Sequence, residues 1–324
     1  VLPIAAPPHD AALRRHEALL GLVPFNRFDD VEFDFHVRLL KLDRELPCGV
    51  AVRDDALLVR YNRSGEESLV NQVCKERRIA LEDISSLHRL QFLYRPVALE
   101  VYHHYDMRSF VLLFDDEAQR TAFIERLRRT PREEQRFADA QKRWLRGDLS
   151  NYAYLAEVNR FCDRSFRILG QYPIYPWVIA TFAPDFRVTD IRSYRDLTQP
   201  IMLHTAAQRA RLETNYAEKG CHYNCYLSNT SFVCRSLVRL QPFAEVLWAE
   251  MGGTRFEVGT RLFQSIQAQW ATSTEQSPQE LLPQFFTTPE LLLNANRFQL
   301  SAGAAEIGDV ELPAWVAAGG TPRQ

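Results

Sequence analysis

At 324 residues the chain has the length for roughly two domains. Its 46% hydrophobic and 25% charged content is that of an ordinary folded protein. A formal net charge of -2 excludes a basic nucleic-acid footprint over the whole chain. Six cysteines, at 48, 74, 162, 221, 225 and 234, lack a disulfide-framework spacing and predict a reduced, cytoplasmic setting. The chain opens on Val1 with VLPIAAPPHD, which lacks a basic stretch followed by an apolar run; it reads as a fragment or processed chain without a signal peptide. The richest apolar stretch, Tyr172 to Pro184, is broken by Pro173, Pro176 and Thr181 and is too short to span a bilayer.

Residues 1–24 read as a leader with a short amphipathic piece from Leu13 to Leu22. Val31, Phe33, Phe35, Val37 and Leu39 then alternate with Glu32, Asp34, His36 and Arg38, which predicts a half-buried strand. CGVAV, Asp54-Asp55 and ALLVRY follow as a hairpin with an Asp turn. A second hairpin is expected from Val97 to Phe114, turning near Asp106. Asp115 or Asp116 caps a helix running to Arg129, with Phe123, Ile124 and Leu127 on one face. Short antiparallel strands closed by one amphipathic helix describe a pleckstrin-homology-like β-barrel over residues 25–130.

Thr130-Pro131 with Glu133 has the form of a capping box with proline in the first turn, so a linker helix over 131–143 is expected to continue to Arg146 and stop at Gly147. Its basic residues Arg136, Lys142, Arg143 and Arg146 read first as a solvated face. Ser150 caps the next helix, with Tyr152, Leu155 and Val158 on a common side. From Gln171 to Pro200 four prolines forbid a long helix, yet the composition is too apolar for an exposed loop. This segment is expected to be buried irregular backbone whose amides and carbonyls need partners. SFVCRSLVRL (231–240) and TRLFQSIQAQW (260–270) read as helices, and PELLLNANRF (289–298) opens with a short one.

The second half resembles the BEACH domain family. WLRGDLSNYAYL (144–155), NRFCDRSF, QYPIYPWVI (171–179), SYRDLTQPI (193–201), HYNCYLSNTSFV (222–233), LVRLQPF (237–243), GGTRFEVGTRLFQSI (252–266), ELLPQFF and DVELPAW (309–315) are similar, in order, to its motifs. The wording around LRGDLSNY and ALEVYH is most similar to the branch of the factor associated with neutral sphingomyelinase activation. The resemblance implies an α+β chain in which a pleckstrin-homology-like domain precedes a mostly helical BEACH domain with buried irregular segments over 144–315, then a tail at 316–324. Departures are Ala180-Thr181-Phe182 where the family has an acidic Asp-Tyr, and Gly220-Cys221-His222-Tyr223 at the family's G-[ST]-H-Y turn. The family's last third and its WD repeats have no counterpart after DVELPAW, so the chain is expected to be C-terminally truncated from a longer protein.

Cys221, His222 and Cys225, with Cys234 and His204, form the one metal-like cluster, but the second tight pair of a structural zinc site is missing; no metal or cofactor is expected. Asp190, Asp196 and Arg195 could be cast as acid–base groups, but the resemblance places Arg195 and Asp196 in the family's RDL element, which implies an internal ion pair or backbone anchor instead. Asn151, Asn159, Arg164, Ser165, His222, Asn229 and Ser231 sit inside apolar stretches and are expected to satisfy loops packed around them. Asn159, Arg195, Asp196, His222 and Asn229 are thus structural polar residues of the core. Ser231 has no nucleophile elbow and the glycines match no phosphate loop, so no catalytic residue is assigned. The resemblance implies a scaffold in vesicle fusion, fission or lysosome-related sorting, cytoplasmic and peripheral on endomembranes. Protein partners would dock in a groove between the pleckstrin-homology-like and BEACH domains, near Arg143, Trp144, Arg146, Asn151 and Tyr152. The alternative is a phospholipid-binding targeting module. The hairpin tip Arg53-Asp54-Asp55 is acidic, which leaves Arg126, Arg128, Arg129 and Arg132 for weak attraction to an anionic membrane surface.

Overall fold

The computed structural model describes residues 22–24, 33–62, 73–104, 108–127, 133–182, 184–203, 205–222, 229–252, 261–300 and 308–316. These fall into two compact units, 1–163 and 164–324.

The first unit is built on an eight-stranded antiparallel sheet: β1 (Leu22–Pro24), β2 (Phe35–Leu40), β3 (Glu45–Arg53), β4 (Ala56–Asn62), β5 (Val73–Ala80), β6 (Ile84–Phe92), β7 (Arg95–His103) and β8 (Arg108–Leu113). Their order is β1-β5-β4-β3-β2-β8-β7-β6. With β1 and β6 at its edges the sheet is open, where the alternation suggested a closed barrel. The inward residues of β2, β3, β4, β7 and β8, among them Val50, Leu57, Leu99, Val101 and Leu112, form one core. Helix α1 (Glu117–Arg126) seals it with Phe123 and Ile124, and the Asp116 carboxylate caps it by accepting from the Gln119 N–H at 2.8 Å. The expected leader ends in β1, which pairs Leu22 with Lys75; positions 13–21 of its amphipathic piece lie outside the described residues.

Strand β5 escapes the alternation reading because Lys75, Glu76, Arg77 and Arg78 fill it with charge. The tertiary fold compensates that charge: Glu76 accepts from the buried Arg60 opposite it on β4, and Arg77 lies over the Tyr61 ring. Gly49 on β3 is required by packing. A Cβ there would stand 2.6 Å from the Phe33 ring. Gly49→Ala is therefore expected to lower stability by about 1–3 kcal/mol in urea unfolding, with much of the loss recovered by adding Phe33→Ala.

Two helices complete this unit, α2 (Glu133–Leu145) and α3 (Asn151–Phe161). Gly147 ends α2 as expected, with a φ of 81° and its N–H donated to the Trp144 carbonyl at 2.9 Å. The Ser150 hydroxyl caps α3 by accepting from the Ala153 N–H at 3.2 Å. The expected cap at Thr130 lies outside the described residues.

The second unit is organised by irregular chain. The expected burial of the Gln171 to Pro200 segment holds in part: Tyr172, Tyr175, Trp177, Phe182, Ser193 and Arg195 are buried, while most of 184–192 and 196–200 is exposed. Tyr175 and Leu281 exchange both backbone hydrogen bonds at 2.8 Å, and the Ala180 N–H donates to the Ser193 carbonyl at 2.9 Å. Trp177, Phe182, Ile201, Met202, Leu212 and Leu281 form the core around it, with Trp270 against Trp177 at 5.3 Å between ring centroids. Among its described residues this unit has five α-helices: α4 (Ala206–Lys219), α5 (Thr230–Ser236), α6 (Phe243–Glu250), α7 (Ile266–Glu275) and α8 (Gln284–Thr287). Helix α7 corrects the expected 260–270: Ser265 is its cap, and the Glu311 N–H donates to the Gln264 carbonyl at 2.7 Å, so residues 261–264 precede the helix. Helix α4 is absent from the sequence reading, although Thr205 and Gln208 form a capping box and Gly220 closes it at a φ of 70°. A short 3-10 helix at Pro289–Leu292 matches the expected start of 289–298.

Candidate interaction surface

Helices α2 and α3 form a hairpin whose outer end carries most of the expected interaction residues. Arg143, Trp144, Arg146 and Asn151 are exposed there, and Tyr152 is half-buried. Trp144, Asn151 and Arg146 are already engaged within the hairpin. The Trp144 indole stacks on Tyr154 with centroids 4.4 Å apart and donates its Nε1–H to the Asn151 Oδ1 at 2.8 Å. Arg146 faces Asp148 at 3.1 Å. Next to them stands Leu145, 72% exposed, an apolar side chain that the sequence reading does not single out. A basic and apolar edge thus sits on a rigid turn.

The rigidity has a source below the surface. Glu157 on α3 accepts from Arg136 on α2 at 2.9 Å and from Arg160 at 2.9 Å. Arg160 also lies over the Tyr102 ring of β7, 4.3 Å from its centroid. Burial, with Glu100 beside it, pushes the Tyr102 phenol well above its ordinary range, so it stays a neutral donor. Arg160 and Glu157 therefore tie the helical hairpin to the outer face of the sheet. Arg160 carries no signal in the sequence, because its ring partner is distant in the chain.

The polar residues expected in the core divide. Asn159 is buried on α3 and donates to the Leu155 carbonyl at 2.8 Å. Asn229 caps α5 by accepting from the Phe232 N–H at 2.8 Å. Arg195 is buried, but its partner is Glu280, met at 2.9 and 3.1 Å, and not the adjacent Asp196. Asp196 is exposed and turns back on its own loop, accepting from the Thr198 N–H and hydroxyl at 2.9 and 2.7 Å. His222 is also exposed, stacked on Tyr216 at 4.6 Å. Both are corrected from core to surface, because local contacts satisfy them without burial. Asp190 caps the 3-10 helix Ile191–Ser193 and pairs with Arg192 at 2.7 Å, whose hydrogen bonds hold its carboxyl below the usual range. Ser165 is buried and accepts from the Arg167 N–H, Arg164 donates to the Tyr172 carbonyl, and Ser231 lies in the first turn of α5.

Burial pushes the Cys234 thiol up to about 12. Among the described residues no group of three or more His, Cys, Asp or Glu side chains is placed to hold a metal; His204 and Cys225 lie outside them. Of the basic lipid candidates, Arg126 is exposed and 3.7 Å from Asp34, while Arg128, Arg129 and Arg132 lie outside the described residues. No helix among the described residues is long and apolar enough to cross a membrane.

The Beige/BEACH domain family matches residues 142–321. A mouse protein, "WD repeat- and FYVE domain-containing protein 4", is 27% identical over 277 residues, covering 76% of this chain and 9% of that protein. "Beige protein homolog 1" of Saccharomyces cerevisiae is 32% identical over 202 residues, covering 57% of this chain and 9% of that protein. The chain thus spans less than a tenth of these relatives' length. Among solved structures, the Toxoplasma gondii Inner Membrane Complex Sub-compartment Protein 1 is 20% identical and covers 39% of this chain and 96% of its own, at a TM-score of 0.23.

Proposed function

This chain belongs to the Beige/BEACH domain family, and from that premise we propose that it is a non-enzymatic scaffold of membrane traffic, acting in vesicle fusion and fission or lysosome-related sorting. In this reading residues 25–130 are a pleckstrin-homology-like module, 131–143 a linker helix and 144–315 part of a BEACH domain. The whole protein carries the rest of that domain and WD repeats, works in the cytoplasm and lies peripherally on endomembranes. The branch of the factor associated with neutral sphingomyelinase activation is the proposed placement within the family.

The observation that carries the scaffold reading is the edge at the α2–α3 turn, where Arg143 and Arg146 flank Trp144 and Leu145 on a clamped hairpin. Exposed aromatic, aliphatic and arginine side chains on a rigid support are the make-up of a protein-binding hot spot. The rival reading, a phosphoinositide site around Arg126, is disfavoured because that guanidinium faces Asp34, which also holds Arg53 at 2.8 Å. Quantitative affinity capture from cell lysate tests the scaffold. Proteins held by the unaltered chain are expected to fall by about tenfold or more with Leu145→Asp and with Arg143→Glu, while circular dichroism stays unchanged. Retention of every partner by both variants overturns the reading.

A further inference from the structure

Strand β6 turns into β7 through only two residues, since Phe92 pairs with Arg95 across the hairpin. Both residues of the turn, Leu93 at a φ of 49° and Tyr94 at 63°, lie in the left-handed region. That is the backbone of a type I′ turn, where Asn-Gly is favoured because a Cβ is crowded in this conformation. Leu and Tyr are poor choices for the backbone, and they are equally poor choices for water: Leu93 is 75% exposed and Tyr94 81%. Strain and apolar exposure coincide at one point, a combination that folding alone would not select.

The base of this hairpin is pinned. Arg120 on α1 is buried and donates to the carbonyls of Leu90 and Ala98, one on each strand, both at 3.3 Å. Arg95 donates to the Asp115 carbonyl at 2.9 Å. The apolar tip therefore projects from a fixed support. Around it the exposed positions are Arg89, Gln91, Arg95 and Pro96, so the large apolar side chains are confined to the tip, above polar and cationic groups. A protein hot spot lies inside a wider patch of contacts that excludes water. A narrow apolar point above an arginine collar fits the interfacial region of a bilayer instead: Leu enters the acyl boundary, Tyr sits at the headgroups, and arginine reaches lipid phosphates.

We propose that the hairpin tip at 92–95 is a membrane-insertion site whose ligand is a phospholipid bilayer. The site rests on the first unit alone and is independent of the protein-binding edge at α2–α3. Asp116 and Glu117 follow the carbonyl that Arg95 holds, so the anionic contribution is small and phosphatidylcholine vesicles are the first probe, with phosphatidylserine-containing vesicles as the second. The full chain is sedimented with each. Replacing the tip by Leu93→Asn with Tyr94→Gly is expected to raise Tm by about 3 °C, because the turn strain is removed. The same change is expected to cut the vesicle-bound fraction about fivefold or more. Leu93→Trp is expected to show a blue shift in emission when vesicles are added. Gain of stability with loss of binding is the signature of a tip held strained for a surface. Failure of the parent chain to bind either vesicle, unchanged binding by the Asn-Gly variant, a fall in its Tm, or an unmoved tryptophan spectrum each overturns the proposal.

Discussion

Arg195→Met is expected to destabilise the second unit by about 3–5 kcal/mol in urea unfolding, the cost of leaving one member of a buried ion pair without its partner. Arg195 is 4% exposed in its side chain and Glu280 14%. Glu280 holds two segments at once, accepting from the Arg195 guanidinium through both oxygens and from the Trp177 N–H at 2.8 Å. Without Arg195 its charge is stranded beside the indole core of Trp177, Phe182 and Trp270. Adding Glu280→Gln is expected to recover much of the loss, because a neutral amide still accepts from Trp177 and needs no counter-charge. A double-mutant cycle that shows no coupling, or a single change costing under about 0.5 kcal/mol, would remove Arg195 from the set of structural residues.

The second large effect is expected at Arg239, which is almost completely buried on the chain following α5. Its Nε and Nη2 donate to the Gly308 carbonyl at 3.1 and 3.0 Å, its Nη1 donates to the Phe263 carbonyl, and its own carbonyl accepts from the Asn296 amide at 3.2 Å. One side chain thus joins the chain before α7 to the start of the 308–316 segment. Burial lowers its pKa to about 10, so it remains charged at neutral pH and is stabilised by carbonyl dipoles. Arg239→Ala orphans those carbonyls and opens a cavity; a loss of about 3–5 kcal/mol is expected. Arg239→Lys is expected to recover only a minor part, since an ammonium lacks the planar fork that reaches two carbonyls. Limited proteolysis should show cleavage near residues 308–316 well before global unfolding in both variants. Cleavage no faster than in the unaltered chain would show that the guanidinium does not organise this segment.

Much of the framework was written locally. Period-two apolar residues set β2 and β8, turn residues set the β3–β4 and β7–β8 hairpins, Asp116 and Ser150 set helix starts, and Gly147 set a helix end. The four prolines between 171 and 200 likewise determined that this stretch is neither long helix nor central strand, but its composition foretold burial only for its first part and for Ser193 and Arg195, since most of 184–192 and 196–200 is exposed. Local signals of this kind work because caps, turns and face periodicity depend on residues within a few positions of one another.

What the tertiary structure decided involves partners far apart in the chain. The charged strand β5 is stable only because β4 offers Arg60 and Tyr61 to its Glu76 and Arg77. Arg195 sits 85 positions from Glu280, and its immediate neighbour Asp196 proved to be a surface turn residue. The exposed tip at Leu93-Tyr94 falls in a stretch to which the sequence assigns no element, and only the backbone shows these two apolar residues turning. Whether a side chain ends in burial, pairing or solvent is set by what the fold brings next to it, and desolvation makes that neighbour, not the residue type, decisive.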